Sequence, residues 1–112
     1  ESYEQNQVYI LGQLIERIMT EQASDLEESV KADVFLMGSF QYTEEANDID
    51  LILIYSIANY DAMKRLKDVL AEAIYDTFNI PVHYTTLSEN EYEEMYALRQ
   101  EKQCVLFEYY HK

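Results

Sequence analysis

The sequence predicts an α/β (α+β) fold, in which a mixed β-sheet carries helices packed mainly on one face. Two segments, residues 3–21 and 59–78, place apolar side chains at the three- and four-residue spacing of amphipathic helices. Short apolar runs rich in β-branched and aromatic residues predict strands at residues 32–37, 48–55, 80–86 and 103–110. Their order along the chain, with helices between strands, is typical of a sheet covered by a layer of helices.

The first predicted helix has its apolar residues on one side, at Val8, Leu11, Leu14, Ile15, Ile18 and Met19. Residues 1–31 are expected to form an N-terminal helical segment, and residues 32–112 the core. A chain of 112 residues is long enough for one hydrophobic core and too short for two. We therefore expect a single domain over residues 1–112.

The first strand ends at a Gly-Ser pair. The near-continuous apolar run of residues 32–37 predicts that this strand is buried on both faces. Gly38 and Ser39 follow it directly. Free backbone N–H groups at such a turn suit a phosphate, so Gly38 and Ser39 are candidate phosphate-binding residues.

The second strand begins with two aspartates, Asp48 and Asp50. Because side chains alternate along a strand, both carboxylates project to the same side, with backbones roughly 6–7 Å apart. Carboxylates held in this way can bind Mg²⁺ or Mn²⁺, as in metal-assisted phosphoryl transfer. The plainer alternative is that Asp48 ends the loop and Asp50 caps a neighbouring segment.

The helix of residues 59–78 is predicted to bury a face that includes Val69, and it carries three cations in its first half, Lys64, Arg65 and Lys67. These three cations are compatible either with a phosphate-binding patch or with a solvated, ion-paired surface. Acidic neighbours such as Asp68 favour the ion-paired surface.

The third strand contains His83. Alternation places Val82 and Tyr84 on one face and His83 on the other, toward the aspartates. A neutral histidine can bind a transition metal or accept a proton, but it is a poor ligand for Mg²⁺. A purely structural histidine remains the alternative.

The C-terminal part is predicted to form a helix and an edge strand. Ser88 and Glu91 have the spacing of a capping box, which predicts a helix over residues 88–101. The last strand is expected over residues 103–110. Cys104 lies within its apolar run, which favours a buried, inert thiol.

The charge of the chain restricts its partners. Its formal net charge is −14, so we expect no nucleic-acid binding by this domain alone and no binding to anionic membranes. A basic protein, or a small substrate bound together with Mg²⁺, is easier to accommodate. The chain has 11 tyrosines, more than its core needs, which favours a protein partner or a homo-oligomer.

The cellular location is expected to be cytoplasmic. The N-terminus lacks the basic start and apolar run of a secretory signal, and no apolar segment is long enough to span a membrane. The single cysteine is consistent with a reducing compartment.

Gly38-Ser39, eight intervening residues, and Asp48-Ile49-Asp50 together resemble the signature of the DNA polymerase β-like nucleotidyltransferase superfamily. The chain looks most like the minimal nucleotidyltransferases of that superfamily. This resemblance implies a nucleotidyltransferase-like fold and the transfer of a nucleotidyl group from a nucleoside triphosphate, such as ATP, to a hydroxyl of a small molecule or partner protein. It also implies that Asp48 and Asp50 bind Mg²⁺ (or Mn²⁺), while Gly38 and Ser39 bind phosphates.

The chain departs from the family pattern at two places. The loop before Asp48 lacks the usual arginines and second glycine and carries Glu44 and Glu45, which either oppose a triphosphate or point into solvent. His83 stands where relatives commonly have a third carboxylate, and it is a candidate metal ligand or base. The alternative function is therefore a catalytically degenerate domain that acts by protein–protein binding, for example as an antitoxin to a separate toxin.

Overall fold

A computed structural model of the chain describes residues 3–23, 30–57 and 60–109. The second part of the predicted N-terminal segment, residues 24–29, lies outside these ranges. The elements are α1 Tyr3–Ala23, β1 Lys31–Met37, a 3₁₀ turn Ser39–Gln41, β2 Ile49–Ile57, α2 Tyr60–Phe78, β3 Val82–Ser88, α3 Glu89–Glu94, α4 Tyr96–Gln100 and β4 Cys104–Phe107.

The four strands form one mixed sheet in the order β3-β2-β1-β4. β1 is antiparallel to both β2 and β4, whereas β2 and β3 are parallel. A parallel pair needs a crossover connection, and α2 provides it. The predicted fold class, a mixed sheet with the long helices on one face, is confirmed.

The two long helices cover the first face of the sheet. The predicted apolar side of α1 is confirmed, since Leu11 and Ile15 are fully buried in one cluster with Leu66 and Leu70 of α2. Val69 of α2 is 43% exposed, contrary to the prediction that it lies on the buried side. The sheet residues of this core are Ala32, Val34, Leu36, Ile49, Leu51, Leu53 and Phe107.

Strand β1 is buried on one face, so the prediction that both faces are buried was wrong. Burial alternates along it, with Ala32, Val34 and Leu36 in the core and the intervening residues partly exposed. The reason is that only a small part of the second face of the sheet is covered by packed side chains. There Phe35 contacts Tyr92 of α3, with ring centroids 6.0 Å apart.

The predicted C-terminal helix is two short helices. The capping box is confirmed, because Glu91 N–H donates to Ser88 Oγ and Ser88 N–H donates to Glu91 Oε1. The backbone leaves the helical region at Met95 (φ −96°, ψ 74°), which separates α3 from α4. The short α3 leaves Asp50 and His83, at the start of the parallel pair, uncovered.

Strand β4 is shorter than predicted and Cys104 is half-buried rather than buried. The strand ends after Phe107, and the Asp33 carboxylate accepts a hydrogen bond of 2.8 Å from the Tyr109 N–H. A side-chain carboxylate thus accepts the hydrogen bond that a backbone carbonyl would accept if the strand continued. Tyr110 lies outside the described residues.

The described surface carries several aromatic side chains. The expectation of surface tyrosines is confirmed, since five are more than half exposed: Tyr9, Tyr42, Tyr60, Tyr75 and Tyr96. Among the described helices, none has the length and apolar character needed to cross a membrane.

Candidate metal centre

Two aspartates flank the first residue of β2. Ile49 is fully buried in the core, so Asp48 and Asp50 on either side of it project to the opposite, open face. Their side chains are 35% and 36% exposed. Strand alternation therefore places both carboxylates on one side, as the sequence predicted.

His83 lies beside both aspartates. It is paired in register with Asp50 across the parallel β2–β3 ladder. Its Nδ1 atom is 3.5 Å from Asp48 Oδ2 and 3.8 Å from Asp50 Oδ1. One ligand atom from each of the three residues lies within 4.8 Å of the others. This separation is close enough for a shared cation, and the structure thus brings together the three residues singled out from the sequence.

The electrostatics of this cluster favour a cation. Burial raises the pKa of Asp50, and the neighbouring Asp48 carboxylate raises it further, while His83 opposes the change. Two carboxylate oxygens and one imidazole nitrogen form a donor set that suits Mn²⁺ and other transition metals better than Mg²⁺. The side chains present therefore fit a divalent cation that accepts a nitrogen ligand.

Gly38 follows β1 and lies directly against the Asp50 side chain. Met37, the residue before it, is paired with Asp50 in the β1–β2 ladder. Gly38 has φ 83° and ψ −172°, a conformation that is essentially restricted to glycine. A Cβ atom at this position would lie 2.5 Å from Asp50 Oδ2. The Gly-Ser turn and the aspartates are thus in contact and form one site.

A buried glutamine, missed in the sequence analysis, anchors this turn. Gln7 of α1 is 8% exposed, and its Nε2 donates hydrogen bonds to the carbonyl oxygens of Phe40 (3.1 Å) and Thr43 (2.9 Å). Gln7 lies four residues before Leu11, on the apolar side of the helix. A polar residue at an apolar position is the signal that could have identified it.

A second glutamine joins the turn to the segment before β4. Gln41 Nε2 donates to the carbonyl oxygens of Gly38 (3.3 Å) and Lys102 (3.1 Å). The Lys102 ammonium lies over the Tyr42 ring, 5.7 Å from its centroid. Lys102 was not a candidate from the sequence, and no local pattern marks it, because it is distant from the turn along the chain.

The remaining charged groups from the sequence analysis are not part of the cluster of Asp48, Asp50 and His83. Glu44 and Glu45 are exposed. Lys64 forms an ion pair with Asp68 at 4.0 Å, and Lys67 lies over the Tyr84 ring at 5.6 Å. The contact of Lys64 agrees with an ion-paired surface on α2, whereas Lys67 contacts an aromatic ring.

Comparison of the chain with family models and with curated proteins finds no match. Among solved structures, the chain is similar to one described as "Crystal structure of putative nucleotidyltransferase", at 21% sequence identity and a TM-score of 0.43. The match covers 83% of this chain and 94% of that chain. A likeness at this identity and TM-score bears on neither the activity nor the ligands of the present chain.

Proposed function

We propose that the chain is a metal-dependent nucleotidyltransferase domain, in which Asp48, Asp50 and His83 bind one divalent cation, Mn²⁺ in preference to Mg²⁺. The observation that carries this proposal is the approach of their three ligand atoms to within 4.8 Å of one another. The contact of Gly38 with Asp50 supports it, because it joins the cation site to a phosphate-binding turn.

Each group of this site has a role in the proposed reaction. The backbone N–H groups at the start of the 3₁₀ turn, at Ser39 and the residue after it, have no partner within the turn and are suited to phosphate oxygens. Asp48, Asp50 and His83 would hold the cation beside this turn. When bound, the cation supplies charge stabilisation to the phosphate oxygens of the transferred group. The acceptor is a hydroxyl of a small molecule or of a partner protein.

A second candidate function is protein–protein binding by a domain that has lost catalysis, including an antitoxin role. The exposed tyrosines favour it, since aromatic residues are enriched at interfaces. The imidazole in place of a third carboxylate also favours it. Both functions are compatible with the same fold, and an assay of nucleotidyl transfer distinguishes them.

Radiolabelled nucleotides test the proposed activity. The protein is incubated with Mn²⁺ and each nucleoside triphosphate, labelled either at the α- or at the γ-phosphate, together with hydroxyl-bearing acceptors. Nucleotidyl transfer attaches the α-label to the acceptor and releases the γ-label with pyrophosphate. The Asp50→Asn variant should not attach the α-label to the acceptor. Failure of the Mn²⁺-loaded wild-type protein to bind any nucleoside triphosphate would contradict the proposed activity and favour protein–protein binding.

A further inference from the structure

We propose that Lys102 is a phosphate-binding residue of this site and supplies the positive charge that the loop between Gly38 and Asp48 lacks. This inference rests on the proposed function. It adds to the site a residue that is distant in the sequence and is brought near the site by the fold.

The backbone of Lys102 is fixed beside the Gly-Ser turn. One amide nitrogen, Nε2 of Gln41, donates to the carbonyl oxygens of both Gly38 and Lys102. These two oxygens therefore lie within two hydrogen-bond lengths of each other. Since Gly38 also contacts the Asp50 carboxylate, the backbone of Lys102 lies near the proposed cation site.

The side chain of Lys102 lies against Tyr42, the residue that follows the turn. Its ammonium lies 5.7 Å from the centroid of the Tyr42 ring, and Tyr42 directly follows the 3₁₀ turn. Tyr42 is 51% exposed, so this cation–π contact is weak. The flexible four-carbon side chain can leave the ring and bind a phosphate, which is a stronger partner.

Four other cations contact groups that are not part of the turn. Lys31 lies over the Tyr109 ring and Arg99 donates to the Glu93 carbonyl oxygen. Lys64 and Lys67 are engaged on α2, with Asp68 and the Tyr84 ring respectively.

The charges around this site favour a positively charged side chain there, in addition to the metal ion. A triphosphate bound at this site meets Asp48 and Asp50, and the exposed Glu44 and Glu45 lie in the loop that leads to them. A bound divalent cation offsets the two aspartates, but it leaves the loop acidic. A lysine near the site supplies charge on the side where the phosphates contact the turn.

The test compares three variants by calorimetric titration, first with Mn²⁺ alone and then with ATP added to Mn²⁺-saturated protein. Lys102→Ala should weaken ATP binding by about tenfold or more, as expected for loss of a charged hydrogen bond, and leave Mn²⁺ binding unchanged. Lys102→Arg should retain binding within about threefold, because the charge stays. Lys64→Ala is the matched control, since it removes the same charge from the exposed surface of α2, and it should bind ATP like the wild type.

The outcomes separate this inference from the function on which it rests. Equal ATP affinity in Lys102→Ala and the wild type overturns the role of Lys102 and leaves the proposed function standing. An equal loss in Lys64→Ala also overturns it, because general charge then explains the effect. Absence of binding of ATP and of every other nucleoside triphosphate by the Mn²⁺-loaded wild type overturns both this inference and the proposed use of a triphosphate.

Discussion

The α-carbon of Gly38 lies against the carboxylate of Asp50, so closely that a Cβ atom would be 2.5 Å from Oδ2. This contact joins the end of β1 to the start of β2 at the point where the cation is proposed to bind. The glycine is needed for two independent reasons, its positive φ of 83° and the absence of room for a side chain.

Replacement of Gly38 by alanine should destabilise the protein and disturb the aspartate. The positive-φ conformation alone costs about 1–3 kcal/mol for a residue with a Cβ. The Asp50 carboxylate must also move, so Mn²⁺ binding should weaken. Urea denaturation and Mn²⁺ titration measure the two effects.

Gly12→Ala is the control, because the nearest atom to a Cβ at Gly12 is Leu106 Cδ2 at 3.8 Å, an ordinary contact. Alanine within α1 should leave stability unchanged or increase it by up to about 1 kcal/mol. Similar stability of the Gly38→Ala and Gly12→Ala variants would argue against the described turn geometry.

Asp50→Asn should stabilise the metal-free protein above acidic pH. Burial and the Asp48 carboxylate raise the pKa of Asp50 in the folded state above its ordinary value of 3.8. The charged form is therefore less favourable in the folded than in the unfolded protein, and this carboxyl lowers stability as pH rises through that range. Since the side chain is partly exposed, the gain is up to about 1 kcal/mol. Thermal unfolding at pH 3 and pH 7 should show the gain at pH 7 alone. A gain at both pH values would exclude the charge as its cause.

Gln7→Leu should destabilise the protein by about 1–3 kcal/mol, because the buried carbonyl of Phe40 loses its hydrogen-bond donor. Gln13→Leu changes an exposed glutamine of the same helix, which donates a hydrogen bond to the Tyr9 hydroxyl, and should alter stability by less than about 0.5 kcal/mol. Denaturant midpoints compare the two variants. Equal midpoints would mean that the Gln7 amide does not anchor the turn.

His83→Asp should change the metal preference of the site. Wild type is expected to have a larger rise in melting temperature with Mn²⁺ than with Mg²⁺, because imidazole is a poor Mg²⁺ ligand. The aspartate variant has an all-oxygen donor set and should gain a response to Mg²⁺. Saturation at one hundred times the dissociation constant stabilises by about 2.7 kcal/mol, which melting curves resolve easily. A variant that is destabilised without any gain in Mg²⁺ response would indicate a structural His83.

The parts of the fold set by local periodicity were predictable. The apolar side of α1 and the capping box of Ser88 and Glu91 depend on spacing within one or two helical turns. Alternation about Ile49 likewise predicted that Asp48 and Asp50 share a face. Alternation also predicted that His83 faces the aspartates, and the parallel register, which was not predicted, places it opposite Asp50.

The parts set by tertiary packing were not predictable. One-sided burial of β1 depends on how little of the second face α3 covers, which strand composition does not show. Lys102 reaches the turn through Gln41, a contact between segments far apart in the chain. Gln7 had a local signal in its apolar position, but its two carbonyl partners also lie in a distant segment.

Mn²⁺ binding measured by electron paramagnetic resonance tests the central claim most directly. The wild-type chain should bind one Mn²⁺, and Asp48→Asn and Asp50→Asn should each abolish or greatly weaken that binding. Glu45→Gln, which removes the same charge from an exposed loop position, should bind like the wild type. No Mn²⁺ binding by the wild type, or unchanged binding in both aspartate variants, would contradict the assignment of the cation site to Asp48, Asp50 and His83.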